Sequence, residues 1–211
     1  PSKLHKEDRT LIHHYRDFIA DMATRILKIT KYLVADGYFM KKEFIAPLVK
    51  IGLHIITKTR RDANLMYIFK GKPNKGRGRK KLYDGKIVIN DIDKRRIPKQ
   101  YEDDIMKVYG GVVYSVHLKC KVLAAFVYYN GKDIPEIYIS TDCEMEVMTL
   151  CKYYGLRFQI EFLIRDAKQH AGLEDCMARD EAKLHNHFNI SLTMISIAKA
   201  TYYLPVPVDK R

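Results

Sequence analysis

Residues 32–59 constrain the fold more than any other stretch. Tyr32, Leu33, Val34 and Ala35 form a short apolar run that stops at Asp36-Gly37. Such a run ended by a turn pair predicts a buried strand with an acid at its carboxyl end. "KKEFIAPLVKIG" follows, and predicts a short helix closed by Gly52. "LHIITKT" then predicts a second strand. Strand, helix, strand is the repeating unit of an α/β sheet. Upstream, "DRTLIHHYRDFIADMATRILK" over residues 8–28 sets Leu11, Tyr15, Phe18, Ile19, Met22 and Ile26 at helical spacing, with Asp8 as N-cap.

Residues 66–142 change character. "KGKPNKGRGRKK" carries seven cations between Lys70 and Lys81 and no acid, and its glycines predict a loop. After it, "KIVIND", "GGVVYSVHL", "KVLAAFVYY" and "PEIYIST" predict strands separated by turns such as Asn130-Gly131. Residues 143–200 return to helical spacing. Thr141 followed by Glu144 fits a capping box for "CEMEVMTLCKYY". A long helix over "YYGLRFQIEFLIRDAKQHAGL" (153–173) comes next. The last segment, "DEAKLHNHFNISLTMISIAKATYYL", is apolar at helical spacing and is predicted to pack against the core. This divides the chain into residues 1–65, a β-rich segment 66–142, a second core part 143–204 and a tail 205–211.

Composition narrows the partner. Of 211 residues, 47% are hydrophobic, enough for a buried core. Lys and Arg number 38 against 25 Asp and Glu, a formal charge of +13. A folded domain of that balance, with a pI near 9.5, points to a polyanion, most often nucleic acid. No apolar run approaches the ~18 residues of a membrane span. The four cysteines form no Cys-x-x-Cys pair, so no zinc ribbon is written here.

On the 153–173 segment, charge has its own periodicity. With Arg157 at zero on a wheel of ~100° per residue, Lys168 falls near ~20°, Glu161 near ~40° and Arg165 near ~80°. Leu156, Ile160, Leu163 and Ala167 fall on the opposite side, at roughly 240–300°. Two readings stay open. Intrahelical Arg–Glu pairs on a solvated face explain the spacing; so does a metal-binding carboxylate flanked by phosphate-binding cations.

The pattern Tyr154-x2-Arg157-x3-Glu161-x6-Lys168 resembles the Tyr-Arg-Glu-Lys signature of bacterial insertion-sequence transposases of the DDE type. The strand ending "VADGY", the β-rich segment before the signature and the "GLE" after it agree, over roughly residues 29–200. The resemblance implies an RNase H-like α/β core with a β-rich insertion before the catalytic helix. Asp36 and Glu161 would match two of three metal-binding carboxylates. Mg²⁺ or Mn²⁺, two ions in the complete domain, would lie between them. Tyr154, Arg157 and Lys168 would contact phosphates at the transposon end, with Arg165 beside them. Lys58, Arg60 and Arg61 lie where the family carries DNA-contacting cations, and Arg77, Arg79, Lys80 and Lys81 of the basic loop would track a phosphate backbone. The partners implied are double-stranded DNA at transposon ends and a second copy of the chain on that DNA, with no membrane, in a bacterial cytoplasm at the nucleoid.

The family's first aspartate, on a first strand, has no match before residue 29. Asp17 and Asp21 lie within the predicted helix, and Asp91, Asp93 and Asp142 follow Asp36 in chain order. The core is therefore expected to lack its first strands and to leave "YLVAD" with an unpaired edge. Three functions follow as expectations: a transposase catalytic domain that cuts and joins strands, a truncated or domesticated remnant that binds DNA without cutting, and an RNase H-like nuclease unrelated to transposition.

Overall fold

The computed structural model describes residues 10–71 and 81–204. The chain forms two compact units, Pro1–Leu156 and Arg157–Arg211. The first holds an eight-stranded mixed sheet. The strands are β1 (Tyr32–Ala35), β2 (His54–Thr59), β3 (Leu65–Ile68), β4 (Tyr83–Lys86), β5 (Lys99–Glu102), β6 (Met106–Ser115), β7 (Cys120–Tyr129) and β8 (Glu136–Ser140). Their order is β1-β2-β8-β7-β6-β3-β4, with β5 also paired to β6. Only β1 and β2 run parallel, with Tyr32 opposite His54 and Ala35 opposite Thr57. The strands of residues 66–142 thus continue the sheet that β1 and β2 begin. The fold is mixed α/β, as an RNase H-like domain requires.

Helices cover both faces of this sheet. α1 (Leu11–Ile26) and α2 (Lys42–Lys50) lie on one side, where Ile12, Phe44, Ile45 and Leu48 pack against Ile55, Phe126 and Ile139. α3 (Val147–Gly155) lies on the other, where Val147, Leu150 and Tyr154 pack against Ile56, Ala125 and Tyr138. β7 explains why the sheet is covered twice. Its run Val122–Val127 is buried at every position, so neither face can meet water.

The predicted strand–helix–strand at 32–59 is present, and Gly52 closes α2 at φ +96°. Elsewhere the boundaries move. α1 starts after Thr10 as N-cap, while Asp8 lies outside the described residues. "KIVIND" is not a strand: β4 ends at Lys86, and Asp91 N bonds Val88 O in a turn. The Thr141–Glu144 capping box is absent. α3 begins five residues later than such a box allows, and Thr141 Oγ1 instead accepts from Ile55 N at 2.9 Å. The start of β2 claims the hydroxyl before the helix can.

The second unit is a helical pair, α4 (Phe158–His170) and α5 (Glu181–Tyr203). The predicted single helix over 153–173 is therefore two. Gly155, a poor helix former, ends α3, and Leu156 and Arg157 make a turn with short i→i+3 bonds, Leu156 N to Tyr153 O and Ile160 N to Arg157 O, both 3.1 Å. The apolar stripe is narrower than the wheel predicts: Ala167 is buried, yet Leu156 and Ile160 are 51% and 57% exposed. α5 likewise buries only Ser191 and Ile195 and leaves Phe188, Met194 and Ile197 in solvent. In a pair each helix has one packing seam, so apolar residues off that seam stay uncovered within the unit.

Candidate active site

Asp36 follows β1 with its backbone still extended, φ −67° and ψ 160°. Its carbonyl accepts from Thr57 Oγ1 at 3.0 Å. Gly37 then turns the chain so close to β2 that a Cβ would stand 3.1 Å from the Lys58 carbonyl oxygen. Glycine thus suits this corner: any side chain there would crowd the β2 backbone. The Asp36 carboxylate is exposed, and no described residue pairs with it. Tyr32 and Val34 face the α3 side of the sheet, and strand alternation puts Asp36 on that side too.

A hydrogen-bonded group occupies the same end and face of the sheet. Lys58 stands opposite Tyr138, and its Nζ pairs with Glu136 Oε2 at 3.0 Å. The Tyr138 hydroxyl donates to Glu136 at 2.8 Å and lies 3.3 Å from the Tyr129 hydroxyl. Burial pushes the Glu136 carboxyl up, but the bonds from Lys58 and Tyr138 outweigh it and hold its pKa below the ordinary value. Burial, with the bonds to Tyr129 and Glu136, drives the Tyr138 phenol far above the ordinary tyrosine range. The Tyr154 ring is 5% exposed and stacks on Tyr138, centroids 4.3 Å apart. Sequence reasoning missed Glu136 and Tyr138, because a Glu opening a strand and a Tyr inside one carry no motif.

Asp142 lies at the opposite end of the sheet. β8 runs antiparallel to β2, which is parallel to β1, so Asp142 sits beside Tyr32, roughly 13 Å along the strand from Asp36 at ~3.3 Å per residue. It is buried, accepting from the Tyr32 hydroxyl at 2.7 Å and Glu144 N at 3.0 Å, with Lys31 Nζ at 3.4 Å. This carboxylate is fully engaged in closing the sheet. Asp93 likewise serves a turn, accepting from Arg95 N at 3.0 Å.

Several cations lie outside these groups. Arg60 and Arg61 are exposed just past β2, and no described acid pairs with either. Lys81 pairs with Asp84 at 2.6 Å and lies over the Phe69 ring. Arg77, Arg79 and Lys80 lie outside the described residues.

In the second unit, Arg157 Nη1 meets Glu161 Oε1 at 2.7 Å, the i,i+4 pair that the wheel allows, and its guanidinium lies 4.7 Å from the Phe158 ring centroid. Arg165 and Lys199 both pair with Asp166, at 3.1 and 3.2 Å. Lys168 pairs with Glu174, past the end of α4. Of the three signature-helix cations, Arg157 alone is paired with Glu161. Among the described residues, no three His, Cys, Asp or Glu side chains converge as a metal group.

A family model described as the transposase DDE domain matches residues 7–197. The chain belongs to that family. The match covers nearly all of both units, from α1 to the last turns of α5. This transposase domain therefore has DNA transposition as its class of function. No curated protein matches the sequence. Among the described residues, no helix is long and apolar enough to cross a membrane.

Proposed function

We propose that this transposase domain cleaves and joins DNA strands at transposon ends, using divalent metal ions held by Asp36 and Glu161. The observation that carries the reading is the Asp36 carboxylate: exposed, unpaired and fixed at a strand end by the Gly37 corner. A free carboxylate at a rigid position is a hard oxygen donor of the kind Mg²⁺ and Mn²⁺ take, and family members generally work with such ions. When bound, a metal pair supplies an activated nucleophile and stabilises the leaving oxygen at phosphorus.

The chain's own residues hold the polyanion. Arg60 and Arg61 leave the same end of β2 that Lys58 occupies, with forks free for phosphate. Lys58 is partly neutralised by Glu136, which leaves it as a positioning cation for the corner carrying Asp36. Arg157 fixes the rotamer of Glu161 through their 2.7 Å pair, and Lys168 and Arg165 add positive charge along α4. Tyr154, buried on Tyr138, anchors the helix that leads into Arg157.

A second reading, DNA binding without cutting, is favoured by the Arg157–Glu161 pair, which engages that carboxylate in a cation already. The test is supercoiled plasmid carrying a transposon end, incubated with the full chain and Mg²⁺ or Mn²⁺. Nicking is expected from the native sequence and is lost in both Asp36→Asn and Glu161→Gln, while both still shift the DNA band. Nicking that survives Asp36→Asn sinks the catalytic assignment; a band shift with no nicking from any of the three selects the second reading.

A further inference from the structure

A cavity of about 510 Å³ opens on the first unit, between β3, β6, β7 and the start of α3. Its wall contains Lys70, Arg96 and Lys121 and no acid. Its apolar lining includes Ile97, Leu123 and Val147, all buried. None of these residues belongs to the Asp36 end of the sheet or to the signature. The three cations reach the wall from three different segments. Lys70 follows β3, Arg96 precedes β5, and Lys121 lies near the start of β7, paired in register with Tyr114.

The cations differ in state. Arg96 is held by Asp84 at 3.2 Å and, more loosely, by Asp93 at 3.8 Å, and packs over the Tyr67 ring, 5.2 Å from its centroid. Its Nη1 is buried with no hydrogen-bond partner among the described residues. Lys70 and Lys121 are exposed and have no acidic partner among the described residues. A buried guanidinium nitrogen left unbonded costs free energy unless something accepts from it. An anion with several acceptor oxygens satisfies it, and draws both ammonium groups. The cavity is also larger than a bare oxyanion needs and lies in the range of organic-ligand sites, about 300–1,000 Å³. Its apolar lining offers a surface for a flat, weakly polar group, and the Gln100 side-chain amide, which donates to the Gly110 carbonyl at 3.5 Å, lies beside it.

We propose that this cavity is a nucleotide-binding site, in which Arg96, Lys70 and Lys121 take a phosphate and the apolar lining takes the attached base. The nucleotide comes from a DNA strand or from free solution; both present the same phosphate and base. The assignment stands apart from strand cleavage at Asp36.

Calorimetry with the full chain tests it, using dAMP, deoxyadenosine, inorganic phosphate and a short oligothymidylate. dAMP is expected to bind more tightly than phosphate, and deoxyadenosine not to bind detectably. The double variant Lys70→Gln/Lys121→Gln loses about ten-fold or more in dAMP affinity, as expected when charge-assisted bonds are removed. Both lysines are exposed, so folding is preserved. Val112→Phe, at another exposed wall position, weakens dAMP and spares phosphate. Oligothymidylate binding tighter than dAMP assigns the site to a DNA strand; the reverse assigns it to free nucleotide. Equal binding of deoxyadenosine and dAMP, of phosphate and dAMP, or of dAMP to the native and double-variant chains overturns the proposal. Asp36→Asn should leave dAMP affinity unchanged, which separates this test from that of strand cleavage.

Discussion

The Tyr154 ring lies on the Tyr138 ring at 4.3 Å between centroids and 24° between planes. The first letter of the signature is therefore part of the core beneath α3. Removing it should act on stability before it acts on DNA. Tyr154→Ala is expected to cost about 3–5 kcal/mol, the range for a large buried aromatic. Tyr154→Phe keeps the stack and should cost much less. Urea unfolding of both variants checks this; a Tyr154→Ala chain as stable as the native one would mean that the ring is not a packing element.

Asp142 should set part of the acid limit of the fold. Burial pushes its carboxyl up, but the Tyr32 hydroxyl, the Glu144 amide, His54 and Lys31 outweigh that and hold it below the ordinary value of 3.8. The folded chain then binds this proton less readily than the unfolded chain. Its contribution is fully present above about pH 4 and fades as pH falls through the lower folded value. Asp142→Asn should destabilise by about 1–3 kcal/mol at pH 7, with the difference shrinking below pH 4. Denaturant melts at pH 7 and pH 3 measure both limits, and an equal difference at the two pH values contradicts the linkage.

Duplex binding should be steeply salt-dependent, given the +13 balance. Arg60→Gln/Arg61→Gln is expected to flatten the slope of log K against log salt by about 2, on random and transposon-end DNA alike. Arg157→Ala and Lys168→Ala should instead narrow the gap between end and random DNA. Fluorescence anisotropy across a salt series gives the slopes, and equal losses on both DNAs for all these changes would remove the division of labour.

Gly110 permits the close seating of α3. A Cβ there would stand 2.5 Å from Val147 Cγ1, so Gly110→Ala must push the start of α3 off β6. The expected cost is about 1–3 kcal/mol, the range for overpacking. Gly110→Ala/Val147→Ala removes the colliding methyls and should recover part of it. Thermal melts of the single and double variants decide this, and no recovery would place the strain elsewhere.

Legibility in the sequence followed how local each cause was. The strand–helix–strand of residues 32–59 was readable because its apolar runs, its Asp-Gly corner and Gly52 act within a few residues. β3 and β5 were not: four residues are too few to show a period, β5 (Lys99–Glu102) is exposed throughout, and both strands exist because β6 offers them a partner. The break at Leu156 was missed because charge periodicity bridges it. In the candidate site, Asp36 was legible as an acid ending a strand, and the Arg157–Glu161 pair as helical spacing. The Lys58–Glu136–Tyr138 group was not, since it joins residues some eighty positions apart through strand pairing.

β1 closes one side of the sheet with β2 as its only strand partner among the described residues. Its outer N–H and C=O groups form a template that a second chain can match. Meeting of two chains rises with the square of concentration, whereas folding of one does not depend on it. Dilute samples should therefore stay dispersed under conditions where concentrated ones turn cloudy over time. That onset should shift with Val34→Pro, at a position whose N–H points away from β2 and which then cannot donate to an added strand, more than with any change of surface charge.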